Sequence, residues 1–140
     1  EVFDKEDKLG RSIGHTEHAE WLQWLHYAET VAVHGASLVQ QNIIITEELR
    51  SPIVIKLESR RLEKAIEVLN NHLNGREYLL CSGFSAVDTA VGYSIHMGSM
   101  FIKIAEYKNV VSYYEKIKKR EAFIKSLPKE INDPLEKIEV

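Results

Sequence analysis

Ser85 and Asp88 stand three apart in the stretch GFSAVDTAVG and have the residue types of a nucleophile and its helper. A serine nucleophile needs a base to take its proton. No histidine is near this pair in sequence, although one from elsewhere in the chain stays open. The same two residues have a second chemistry. A serine at a helix cap accepts a bond from the backbone N–H three residues on, and an acidic residue there reaches back to the serine's own N–H. The pair precedes a run of small apolar residues, so the capping box is preferred to catalysis, with Asp in place of the usual Glu or Gln. Phe84 stands where a hydrophobic staple residue would stand, but its partner would be Thr89, which weakens the staple.

Other side chains also have types that do chemistry. His26, Thr30 and His34 follow one another at four-residue spacing, along one stripe of a helix. His26 and His34 would be about 12 Å apart along that helix, too far for one ion. His15 and His18 are better spaced for a ligand pair, but no carboxylate or thiol pattern completes a site, so no metal is expected. Cys81 is the single cysteine. It rules out an internal disulfide, suits a reducing compartment and reads as an inert small residue. Lys116, Lys118, Lys119 and Arg120 read as a solvated face at a helix end.

The elements that must position these residues follow from hydrophobic spacing. From His15 to about Gln40, Trp21, Leu25, Ala28 and Ala32 recur every three or four residues, and Trp21 and Trp24 read as core. Thr16 is the expected cap, and Gly35 the expected bend or close contact. Residues 41–50 are ambiguous. Three isoleucines could form a strand, but nothing pairs with it, so an extension of the first helix and a loop are preferred. Ser51-Pro52 starts a second helix, and Asn74-Gly75 stops it. A short apolar loop, 76–84, leads to a third helix from Ser85 to about Met100. Its glycines, Gly92 and Gly98, make it a poor helix by itself, so neighbours must hold it in a central position. Asn109 is the expected cap of a fourth helix, Val110 to about Lys119. Glu121–Leu127 make a short last helix or turn.

This predicts an all-α domain, a helical bundle of four to five helices over 15–127. A polar arm or linker precedes it (1–14) and a tail with two prolines follows (128–140). The length of 140 residues suits one domain. A net charge of −3 argues weakly against nucleic acid, and no apolar run approaches a membrane span. The start at Glu1, without Met or a signal core, reads as a piece of something longer or a processed product.

Four stretches resemble one known family: WLQWLHYAE (Trp21–Glu29), LEKAIEVLNNHL (Leu62–Leu73), YLLCSGFSAVDTAV (Tyr78–Val91) and YKNVVSYYEKIKKREAF (Tyr107–Phe123). Together they resemble the C-terminal helical domain of glutathione transferases, in the bacterial and fungal cytosolic branch. The Gly-Phe-Ser-x-x-Asp element is the most specific part, and in the family it is a capping box. Cys81, Lys108 and Glu121 depart from the residues usual there. The resemblance implies a domain that supplies a wall for the hydrophobic electrophile and part of a dimer interface. The thioredoxin-like domain that holds glutathione and activates its thiol is not found in this chain. Val33, Ala90 and Met97 match positions that border the electrophile, and Tyr93 is another pocket candidate, with core packing as an equally good explanation of each. His26, Thr30 and His34 match polar positions at the cleft between subunits, close to the neighbour's glutathione, with ordinary exposure as the plainer one. The implied parent is a cytoplasmic homodimer that conjugates glutathione or reduces peroxides. The implied fragment is inactive alone. The competing reading is a non-catalytic interaction module, of the kind found in elongation-factor subunits and synthetase assemblies.

Overall fold

The tryptophan-led stripe of the first segment forms α1, His18–Val39, with Trp24, Ala28, Val31, Gly35 and Leu38 buried. The computed structural model describes residues 4–126. Leu127 and the expected tail, 128–140, lie outside the described residues. Helix α2 is Pro52–His72, α3 is Ala86–Gly98, α4 is Lys108–Lys118 and α5 is Glu121–Ser126. No strand occurs among the described residues. The isoleucine stretch continues α1 as a π-helical turn, Gln40–Ile44, followed by a 3-10 turn, Glu47–Leu49.

Helix α2 runs antiparallel to α1. The Tyr27 hydroxyl donates to the Ala65 carbonyl at 3.1 Å, and His34 meets Glu58 at 2.7 Å. Helix α3 runs parallel to α1. Glu17 meets the loop at Cys81 and Ser82, and further along the Ser94 hydroxyl donates to the Ala28 carbonyl at 3.1 Å. Val87, Val91 and Ile95 of α3 have no exposed surface, so this helix is the axis of the core. Its glycines allow the approach. A β-carbon at Gly98 would stand 3.4 Å from Leu62 of α2, and one at Gly92 would stand 3.0 Å from Ile117 of α4. The poor intrinsic propensity of α3 is thus offset by packing on several sides.

Three local expectations are corrected. Thr16 does not cap α1, because the helix starts one turn-fraction later with Glu17 at the cap and no side-chain cap bond. Glu17 instead turns its carboxylate to the N–H groups of Cys81 and Ser82. Asn109 does not cap α4, because it lies inside the helix. Asn70 of α2 caps it from across the fold, its Oδ1 accepting from the N–H groups of Asn109 and Val110. Gly35 does not mark a tight contact, since nothing lies within 4 Å of a β-carbon there, and α1 runs past it to Val39.

Candidate functional site: the entrance and flanks of the buried helix

The Ser85–Asp88 pair lies at the entrance of α3 with both arms of the capping box in place. The Ser85 N–H donates to Asp88 Oδ2 at 2.8 Å. The arm from the serine is the weaker one: no strict cap bond forms, and the Asp88 N–H also meets the Ser85 carbonyl at 3.1 Å. Asp88 does more than close the box. Its Oδ1 accepts from the Leu79 N–H at 3.1 Å and from the Tyr113 hydroxyl at 3.0 Å. One carboxyl group therefore ties the α2–α3 loop, the start of α3 and the middle of α4. Burial raises its pKa, and the bonds from Leu79, Ser85 and Tyr113 oppose that rise without overcoming it. Burial also pushes the Tyr113 hydroxyl well above its ordinary value, and the adjacent Asp88 adds to this.

This geometry cannot do nucleophilic catalysis. Ser85 has no exposed surface, so no substrate reaches it. Its hydroxyl has Asp88 Oδ2 as its side-chain neighbour, at 3.5 Å. Five of the six histidines are bonded elsewhere: His15 to the Glu17 N–H, His18 to the Arg11 carbonyl, His34 to Glu58, His72 to the Leu79 carbonyl and His96 to the Tyr114 hydroxyl. The sixth, His26, is exposed on α1. Phe84 does not staple to Thr89, which is exposed; it packs edge-on against Tyr78 at 5.7 Å, with the Arg120 guanidinium over its ring at 3.5 Å. Arg120 is thus held against an aromatic ring, while Lys116 pairs with Glu77 and Lys118 with Glu115.

Ala90, Tyr93 and Met97 share one stripe of α3 by their spacing of three and four. Tyr93 is 60% exposed, while Ala90 and Met97 are half-buried. Val33 stands on the neighbouring α1, opposite its buried stripe, and is 56% exposed. Of the four, Tyr93 and Val33 stand on open helix faces. His26 and Thr30 are exposed on α1, whereas His34 turns aside to α2. There its Nδ1 meets Glu58 Oε2, and Glu58 also pairs with Arg61. The hydrogen bond to His34 is the main cause holding the Glu58 carboxyl below its ordinary range.

A depression of about 290 Å³ lies elsewhere, at the α2–α3 loop, lined by Gly75, Arg76, Glu77, Tyr78, Leu80, Cys81 and Gly83. None of the sequence-predicted site residues lines it. Cys81 is exposed there, 3.4 Å from the Arg76 guanidinium, and does not lie buried among its apolar neighbours Leu79 and Leu80. Among the described residues, no group of three or more His, Cys, Asp or Glu could hold a metal ion. No helix among them is long and apolar enough to cross a membrane.

Sequence reasoning missed Tyr113, Asn70, Glu58 and Arg11. The first three act across the fold from distant sequence positions and leave no local signal. Arg11 had one: a cation next to glycine just before a helix.

The arrangement of helices matches solved structures. One is a glutathione transferase from Phanerochaete chrysosporium with oxidised glutathione, at a TM-score of 0.78 and 18% identity, over 89% of this chain and 57% of that one. The chain has the fold of the helical domain of glutathione transferases. A glutathione transferase homologue from Lodderomyces elongisporus, with two glutathione molecules per subunit, matches at 0.78 and 18% identity, over 89% of this chain and 59% of that one. A glutathione transferase from Methylobacillus flagellatus with glutathione bound matches at 0.73 and 20% identity, over 84% and 60%. The chain therefore spans less than two thirds of the length of the transferases it matches. No family model matches the sequence, and no curated protein matches it.

Proposed function

We propose that the chain is the helical domain of a glutathione transferase-like protein and supplies the wall against which a hydrophobic electrophile rests. The observation that carries this reading is the partly open stripe of α3, Ala90, Tyr93 and Met97, together with the exposed Val33 on α1. Tyr93 and Val33 are exposed there and Ala90 and Met97 half-buried, a surface on which a second domain would close a cleft. On this reading glutathione is the co-substrate, bound mostly by a thioredoxin-like domain outside these 140 residues. That domain lowers the pKa of the thiol, and the helical domain holds the partner compound near it. His26 and Thr30 then lie towards the cleft of a cytoplasmic homodimer, with His34 held beside them by Glu58, and with conjugation or peroxide reduction as its reaction.

The test joins the chain to a thioredoxin-like glutathione-binding domain and follows conjugation of glutathione to a chlorodinitrobenzene. Turnover is expected only with that domain present. Tyr93→Ala should raise KM for the electrophile several-fold and leave KM for glutathione unchanged. A folded two-domain protein that binds glutathione but neither binds nor turns over any hydrophobic electrophile would overturn the reading.

One feature favours the second reading, a non-catalytic interaction module. Ile43, Ile44, Leu49, Ile53 and Leu57 are all exposed at the tip formed by the end of α1 and the start of α2. Clustered apolar surface of this kind marks protein contacts. A joined protein that recruits a partner through this tip while remaining without turnover would support it.

A further inference from the structure

The segment before α1 is bonded to the fold through the entrance of α3. The Leu9 carbonyl accepts from the Ala86 N–H at 2.9 Å and from Trp21 Nε1 at 3.1 Å. Ala86 is the first residue of α3, so its N–H is one of the helix-start donors that α3 cannot satisfy by itself. Arg11 is 94% removed from solvent and its Nε donates to the Ser82 hydroxyl at 2.8 Å. Its guanidinium also stands 3.9 Å from Glu17. Glu17 in turn accepts from the N–H groups of Cys81 at 2.8 Å and Ser82 at 3.3 Å. The Arg11 carbonyl meets His18 Nδ1 at 2.5 Å.

The segment is also shaped for this position. The Asp4 carboxylate gathers the N–H groups of Lys8, Leu9 and Gly10, at 2.9, 2.8 and 2.6 Å. Asp7 adopts φ 51°, in the left-handed region, and its carboxylate takes the Ser12 N–H at 3.0 Å and the Ser12 hydroxyl at 2.7 Å. These bonds shape the backbone on either side of Leu9 and Arg11.

We propose that residues 4–12 form a latch on the entrance of α3, whose release opens the 81–85 loop and frays the start of α3 while α2 stays folded. Leu9 and Arg11 are the two pins. Undocking them uncovers the Ala86 N–H and frees Glu17 to leave the loop. Because α3 carries Ala90, Tyr93 and Met97, the latch sets how firmly that stripe is held. The inference does not depend on the transferase reading, since it concerns bonds within this chain.

The experiment is amide hydrogen exchange by NMR on the full chain, read at Ala86 and at the Cys81 and Ser82 N–H groups that Glu17 accepts from. Arg11→Ala should speed exchange at Ala86, Cys81 and Ser82 by roughly tenfold or more, with Ile66 and Leu69 of α2 unchanged. Asp4→Asn, further from the helix, should give the same local pattern at smaller amplitude and guards against a variant that fails to fold. Unchanged exchange at Ala86 in both variants, or acceleration spread evenly over α2 and α3, would overturn the latch.

Discussion

Asp88 is a carboxyl group with no exposed surface, met by donors from Leu79, Ser85 and Tyr113 and by no cation among the described residues. Its loss should therefore cost more than the loss of its partner. Ser85→Ala removes one cap arm, about 0.5–2 kcal/mol. Asp88→Ala strands buried donors, at about 1–3 kcal/mol for each one left unsatisfied. Urea unfolding should rank the two variants in that order. The raised pKa adds a pH signature. The folded state holds the Asp88 proton more tightly than the unfolded chain does, so this group's contribution is fully present below the unfolded pKa. It is lost as pH rises through the folded pKa. The stability lead of the parent over Asp88→Asn should narrow as pH rises above the ordinary carboxylate range. Glu58 behaves oppositely. Its carboxyl is held low, so its contribution is present at neutral pH and lost as pH falls through the folded pKa. Glu58→Gln should remove that acid-side loss, which a pH series of melting curves would show.

Among the elements, the glycines separate by what surrounds them. Gly35 is buried in α1, yet a β-carbon there meets nothing within 4 Å. Gly35→Ala should stabilise the chain by up to about 1 kcal/mol through helix propensity alone. Gly92 lies in α3 in the same helical conformation, but its β-carbon would stand 3.0 Å from Ile117 Cγ2. Gly92→Ala should destabilise, because the strain of moving a fully buried isoleucine exceeds the gain in propensity. Thermal melts of the two variants should move in opposite directions. The sequence showed both glycines as equal costs to a helix. Only the neighbours distinguish a free position from a crowded one.

For the whole molecule, the question is which surfaces await a partner. The apolar tip carries Ile44 63%, Leu49 77% and Ile53 71% exposed, and grouped apolar surface of this kind marks association sites. The isolated chain should self-associate at tens of micromolar or above, and Ile53→Lys with Leu49→Lys should return it to monomer in sedimentation experiments. The double variant sits on turns and an exposed helix start, so its melting temperature should stay close to the parent's.

The helix count, the Ser51-Pro52 start, the Asn74-Gly75 stop and the Ser85–Asp88 box were legible in the residues, because each depends on neighbours within four positions. Helical periodicity and capping are local physics, and a local signal survives in one dimension. The cap of α4 by Asn70, the Tyr113 bond to Asp88, the turn of His34 towards Glu58 and the docking of Leu9 and Arg11 on α3 were not legible. Each joins groups 24 to 77 positions apart. Such pairings exist only once burial has brought two elements together and left a polar group needing a partner.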